Sequence, residues 1–275
     1  MSAVYRGRLA PTPTGYLHLG HAATFRTAWQ RARAAGGSLA LRIENLDPRR
    51  CRPAFEAAAL EDLTWCGLDW DGEPIRQSER RALYLQAWQT LRDGGWIYPC
   101  SRSRRDIATS PLAPHGDESI FPAQWRTSSA RAKGHAAPEG VNWRFCVPDG
   151  RVIRFDDRRL GVIEKIALQD FGDFVIWNRD NVPAYELAVV VDDATMDITE
   201  IVRGEDLLTS TARQILLYEA LQLGSPPATY HCPLVRDSSG QRLAKRHDSK
   251  SLRAFRQEGR NPEDLWTELD LGPGD

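Results

Sequence analysis

Two histidines three residues apart, His18 and His21, are the first residues whose types and spacing suggest chemistry. They close the stretch Arg8-Leu9-Ala10-Pro11-Thr12-Pro13-Thr14-Gly15-Tyr16-Leu17-His18-Leu19-Gly20-His21. Apolar residues lead into a turn broken by proline and glycine, and a helical pattern begins near His18. A strand that turns sharply into a helix aims backbone N–H groups and the positive end of the helix dipole at one point, which makes an anion site. Residues three apart share one face of the first turn. Gly20, between the histidines, lets a flat ligand lie close to the backbone. The plainer alternative is a strand–turn–helix carrying two incidental histidines. Placed after a strand and a Pro/Gly turn, the pattern reads as a nucleotide site.

The elements that must hold this turn alternate. Ala22 to Ala35 reads as a helix stopped by Gly36-Gly37, and Ser38 to Ile43 as a buried strand that delivers Glu44. Helices follow at Pro53 to Cys66 and Arg80 to Asp93. This rhythm predicts an α/β fold with a parallel, Rossmann-type sheet and right-handed crossovers. Ligands in such sheets sit beyond the carboxyl ends of the strands, where Glu44 and the histidine turn both lie. From Trp96 to Asp149 the pattern dissolves into an insertion. Short strands are expected at Asn142 to Val147 and Val152 to Phe155, with Pro148-Asp149-Gly150 as a hairpin turn.

Regular signal returns at Phe174 to Trp177. Tyr185 to Val191 runs into Asp192-Asp193, which suits an interior strand delivering carboxylates to a cleft, the alternative being an exposed Asp-Asp turn. Ile198 to Arg203 reads as a strand and Ser210 to Leu221 as a helix. The predicted organisation is 1–95 for the first half of the sheet domain, 96–173 for an α+β insertion, 174–235 for the second half and 236–275 for a basic loop and a short helical end. Only four of the 36 basic residues are lysines (Lys133, Lys165, Lys245 and Lys250), so a functional lysine stands out. Lys245 lies in the basic loop Arg242-Leu-Ala-Lys-Arg246, a type of loop that is usually solvated surface.

Basic and acidic residues number 36 and 37, a net charge of −1, so a polyanion would have to meet local patches. No run of 18 apolar residues and no signal-peptide pattern is present, which predicts a cytoplasmic protein with no membrane partner. Five scattered cysteines without a C-x-x-C read as reduced thiols.

Five segments together resemble the class I aminoacyl-tRNA synthetases of the glutamyl type. They are residues 8–21, Leu41-Arg-Ile-Glu-Asn-Leu-Asp47, Ala184-Tyr-Glu-Leu-Ala-Val-Val-Val-Asp-Asp193, Glu200-Ile-Val-Arg-Gly-Glu-Asp206 and Arg242-Leu-Ala-Lys-Arg246. The first corresponds to the "HIGH" signature and the last to "KMSKS". The resemblance implies ATP and Mg²⁺, with His18, Gly20, His21, Lys245 and Arg246 at the nucleotide and His18, His21 and Lys245 as catalytic groups. Glutamate carries two carboxylates and one ammonium, so its pocket needs two positive groups and one negative. Arg8 and Arg203 fit the former and Glu44 the latter, while Tyr185 supplies a hydroxyl and a wall. The resemblance adds the backbone of Arg8, Leu9, Ala10, Pro11 and Thr12 to that pocket. About thirty residues follow Lys245, too few for the helical domain that grips the anticodon. The closer resemblance is therefore to the short members of the family, which transfer L-glutamate to queuosine in the anticodon loop of tRNA(Asp). A monomer is expected.

The family often carries a zinc site, and here the pattern departs from it. Cys100 is kept, but Arg102, Phe121 and Trp125 stand where the other ligands would fall. One thiolate cannot hold Zn²⁺ tetrahedrally, so no zinc is expected. Three other readings remain: a truncated glutamyl-tRNA(Glu) synthetase, another H-x-G-H nucleotidyltransferase acting on a small molecule, and a catalytically silent RNA-binding relative.

Overall fold

The computed structural model describes residues 4–102, 106, 120–128, 132, 134–235 and 251–269. In chain order the first elements are β1 (Arg6–Leu9), α1 (Leu19–Ala34), β2 (Ser38–Ile43), α2 (Pro53–Trp65), β3 (Ile75–Arg76), α3 (Arg81–Asp93) and β4 (Ile97–Cys100). There follow β5 (Asn142–Phe145), β6 (Val152–Asp157), β7 (Gly161–Ile166), β8 (Phe174–Trp177) and α4 (Tyr185–Thr195). The last are β9 (Glu200–Gly204), α5 (Leu208–Leu221), β10 (Ala228–Cys232), α6 (Leu252–Gln257) and α7 (Pro262–Glu268). They divide between two compact units, the first made of residues up to Glu79, Asp197–Leu207 and the chain from Pro227.

In the first unit β1, β2 and β3 pair in parallel in that order, and β9 pairs in parallel with β10. Just before β9, the Thr199 N–H donates to the Arg6 carbonyl at 2.8 Å, and the Arg6 N–H donates to Thr199 Oγ1 at 2.8 Å. Leu19, Ala22, Phe25, Ala28 and Ala32 recur at helical spacing and bury one face of α1 against the strands. Gly37 permits the turn from α1 into β2. A Cβ there would lie 2.4 Å from the Tyr5 carbonyl oxygen, a distance that forces the backbone to move. Pro53 opens α2 at a position where no N–H is needed. At α7, Asn261 Oδ1 accepts from the Asp264 N–H at 3.0 Å, and the Asp264 carboxylate accepts from the Asn261 N–H.

The second unit holds an antiparallel sheet in the order β4-β5-β8, the β6–β7 hairpin and helices α3, α4 and α5. Two expectations are corrected here. Tyr185 to Val191 is not a strand but most of α4. An apolar run suits either a buried strand or a helix buried on most sides, and α4 packs against both α3 and α5. Asp192 consequently delivers no carboxylate to a cleft. It is fully buried, accepts from the Tyr84 hydroxyl at 2.9 Å and pairs with Arg80 Nε at 2.7 Å. Pro148-Asp149-Gly150 does turn, with the Arg151 N–H donating to the Pro148 carbonyl, but it joins no hairpin. β5 pairs with β4 and β8, while β6 pairs with β7 across a turn in which Asp157 Oδ1 accepts from the Arg159 and Leu160 N–H groups.

Where the zinc pattern is broken, the unit builds an aromatic cluster. Tyr98, Cys100 and Phe121 are buried with Trp125 and Cys146 packed on them, and Arg102 stacks on the Trp125 ring at 4.9 Å. Beside the cluster Arg126 grips the buried Asp173 carboxylate with two N–H groups, both at 2.8 Å, while the Tyr98 hydroxyl donates to the same carboxylate at 2.6 Å. Among the described residues no three His, Cys, Asp or Glu side chains gather as a metal site. No described helix is long and apolar enough to cross a membrane.

Candidate active site

His18 is the residue that caps α1, in extended backbone, and its ring turns back on the helix. His18 Nδ1 accepts from the Gly20 N–H at 3.1 Å, and His21 Nδ1 accepts from the His18 N–H at 3.2 Å. This is a capping box built from two histidines. The rings lie 3.8 Å apart and tilted by 39°. Two of the N–H groups that the sequence offers to an anion are therefore taken by the histidines themselves. The arrangement settles the tautomers instead. A nitrogen that accepts carries no proton, so each neutral ring bears its N–H at Nε2. The pair can present two Nε2–H donors at the positive end of a helix. Gly20 serves the cap as well, since a Cβ there would lie 3.1 Å from His18 Cε1.

Glu44 follows the carboxyl end of β2, and three contacts fix it. Its N–H donates to the Pro11 carbonyl at 3.0 Å, Arg42 Nη2 donates to Oε1 at 3.1 Å, and Thr12 Oγ1 donates to Oε2 at 3.3 Å. Arg42 is entirely buried and lies two residues before Glu44. Paired with a fully buried guanidinium, Glu44 is held as a carboxylate able to receive a cation. Beside it the Cys51 thiol points at the Glu44 carbonyl, and burial pushes that thiol up from its usual range, so it stays protonated.

Arg8 is buried on β1 and donates from Nη1 to the Val202 carbonyl at 3.1 Å, which ties it to β9 one residue before Arg203. Arg203 is 5% exposed and donates from Nε to His231 Nε2 at 3.2 Å. Thus Arg8, Thr12, Glu44 and Arg203 belong to one unit, near the carboxyl ends of β1, β2 and β9, with Thr12 bonded to Glu44 and Arg8 bonded to the backbone beside Arg203. Leu9, Ala10 and Pro11 form the backbone between them, with Leu9 and Pro11 buried. Tyr185 opens α4 in the other unit, 37% exposed.

Lys245 and Arg246, with the whole loop Arg242–Arg246, lie outside the described residues. The chain is described again at Ser251, six residues after Lys245, and Ser251 forms a β-bridge with His18. The Leu252 N–H then donates to the Leu17 carbonyl at 2.8 Å, and Ser251 caps α6. The return of this loop is therefore stitched to the histidine turn.

The model for tRNA synthetases class I (E and Q), catalytic domain, matches residues 5–271. The chain belongs to that family. Within it, the chain is 44% identical to a "Glutamyl-Q tRNA(Asp) synthetase" of Rhodopirellula baltica, over 94% of this chain and 82% of that one. It is 45% identical to a protein of the same name from Symbiobacterium thermophilum, over 94% of this chain and 83% of the other. A crystal structure of a glutamate tRNA ligase from Elizabethkingia meningosepticum, in complex with its amino acid, superposes with a TM-score of 0.80 at 27% identity. That match covers 97% of this chain, which spans about 60% of the ligase chain. The class I α/β architecture inferred from the parallel strands is thereby shared with a solved synthetase.

Two buried partners in this candidate site were not anticipated from the sequence, Arg42 behind Glu44 and His231 behind Arg203. For Arg42 a signal was present, because residues i and i+2 of a strand share a face. For His231 none was, since its partner lies 28 positions away.

Proposed function

We propose that this synthetase activates L-glutamate with ATP, without needing tRNA, and then passes the glutamyl group to queuosine in tRNA(Asp). The observation that carries the reading is the charge pattern at the strand ends. Two buried arginines and one fixed carboxylate, Arg8, Arg203 and Glu44, match the two carboxylates and the ammonium of glutamate, beside a doubly histidine-capped helix.

In the first step an oxygen of the substrate α-carboxylate attacks the α-phosphorus of ATP. The bond to the bridging oxygen breaks and pyrophosphate leaves. Such transfers depend on positioning and charge stabilisation more than on covalent help. His18 and His21 donate from Nε2 to phosphate oxygens, and Gly20 keeps the cap tight. Lys245 neutralises the departing pyrophosphate with help from Arg246, six and five residues before Ser251, which bridges to His18. Mg²⁺ accompanies the nucleotide, held mainly by phosphates and water. In the second step a hydroxyl of the queuosine cyclopentene-diol attacks the glutamyl carbonyl and AMP leaves. Residues 96–173 act as the insertion that meets RNA, and the protein works as a cytoplasmic monomer.

The names of the relatives at 44% and 45% identity favour queuosine as acceptor, while relatives named glutamate--tRNA ligase match at 40% and 42%, so the acceptor rests on experiment. The test is transfer of labelled glutamate to tRNA(Asp) with and without queuosine, and to tRNA(Glu). Label on queuosine-bearing tRNA(Asp) alone supports the reading. Label on tRNA(Glu) would favour a truncated glutamyl-tRNA(Glu) synthetase.

A further inference from the structure

β9 and β10 run in parallel with His231 in direct register beside Arg203. Register neighbours point to the same face of a sheet, and alternation along the strands separates two faces. Val202 and Cys232 join the core cluster that α1 covers, and the Tyr230 ring receives the Arg31 guanidinium at 4.3 Å. Arg203 and His231 lie on the other face, where His231 is wholly buried. His231 therefore cannot touch a substrate itself. What it does is accept the Nε–H of Arg203 on Nε2, at 3.2 Å. Only an imidazole without a proton at Nε2 can accept in this way, because an imidazolium would set a donor against a donor.

The contact with His231 has two physical consequences. A guanidinium is a rigid planar fork, so pinning its Nε–H sets the plane in which its Nη groups lie. A neutral imidazole achieves this without adding negative charge. The nearby Arg31 is handled differently, gripped by the Glu200 carboxylate through two bonds at 2.7 Å. A carboxylate adds a negative charge beside the arginine that it orients, whereas a neutral imidazole adds none.

We propose that His231 is the positioning residue that aims Arg203 at the substrate carboxylate and so sets the preference for glutamate over glutamine. The inference rests on the assignment of Arg203 to the glutamate pocket. A well-aimed fork offers two donors to two carboxylate oxygens, while an amide sets its own N–H against one of them. A guanidinium free to swing loses that advantage.

The experiment compares wild type, His231→Leu and His231→Gln in amino-acid-dependent ATP–pyrophosphate exchange, with glutamate and with glutamine. Thermal unfolding and isothermal binding of glutamate accompany the kinetics. Leucine removes the acceptor. Glutamine can replace it, because its amide oxygen reaches close to where imidazole Nε2 sits. The expected result for His231→Leu is a rise in KM for glutamate of roughly 10- to 100-fold, from loss of a hydrogen bond to a charged group. The glutamate/glutamine ratio of kcat/KM falls with it, KM for ATP moves little, and His231→Gln recovers most of both losses. A merely structural histidine would lower the unfolding temperature and the active fraction of both variants while leaving KM and the ratio in place, and that result overturns the proposal. Failure of wild type to bind glutamate would overturn the pocket assignment, and the proposal with it.

Discussion

Asp62 on α2 offers the sharpest test of the energetics around this site. Its carboxylate is entirely buried, and neither oxygen has a hydrogen-bond partner among the described residues. The nearest cation is Arg256 on α6, whose Nη2 stands 3.6 Å from Oδ1 while bonding Glu61 at 2.6 Å. Burial dominates and pushes Asp62 up from 3.8 to about 6, against the opposing charges of Arg256 and Arg253 and with the help of Glu61. The same burial pushes the Cys66 thiol, one turn along, up to about 12. An acid raised on folding binds its proton more tightly in the native state. Its effect on stability is nil below pH 3.8, grows as pH rises through the window to 6, and is complete above it. At 1.36 kcal/mol per unit the full destabilisation is about 3 kcal/mol. Asp62→Asn removes the titration. Steric and desolvation effects of the amide are the same at every pH, so the informative quantity is how the difference between variant and wild type changes. Urea unfolding at pH 5.0 and 7.5 should show the variant gaining about 1.5 kcal/mol on wild type between the two. A difference that is flat with pH, or that moves the other way, would refute the argument and make Asp62–Arg256 an ordinary stabilising ion pair.

Two further outcomes follow from the site and its scaffold. Lys245→Ala should lower the rate of pyrophosphate exchange by about 10²- to 10³-fold, with KM for glutamate little changed, as saturation kinetics would reveal. Asp173→Asn weakens the grip on Arg126, which keeps Asp149 and the Val147 carbonyl, and equilibrium urea unfolding should register a loss of about 1.5–3 kcal/mol.

The parts of the molecule that were legible in the sequence are those specified locally. Ser38–Ile43 is a strand with the expected bounds, because its apolar run is bracketed by Gly36-Gly37 and a polar exit. The histidine turn sits between a strand and a helix, although the histidines proved to cap the helix and leave fewer backbone donors than the sequence suggested. What failed depended on tertiary surroundings. Helix α4 lacks the contrast between apolar and polar faces that marks a helix, because α3 and α5 cover it, and its run of three valines favours a strand on propensity alone. The β6–β7 hairpin was missed although its turn carries a signal, Asp157 accepting from the Arg159 and Leu160 N–H groups ahead of Gly161 at positive φ, because Gly161–Ile166 is charged and mostly exposed and gives no apolar run. The charged trio Arg8, Glu44 and Arg203 was accessible from residue types, and Arg42 from its place two residues before Glu44, whereas the Val202 carbonyl and His231 emerged only from the packing of β1, β9 and β10.

The proposed activation of glutamate needs no tRNA. Glutamate-dependent ATP–pyrophosphate exchange, measured without any tRNA and with glutamine and aspartate alongside, tests it most directly. Exchange with glutamate alone, abolished in Arg203→Ala, is the predicted result. Exchange that starts only when tRNA(Glu) is added, or that ignores the amino acid supplied, would contradict it.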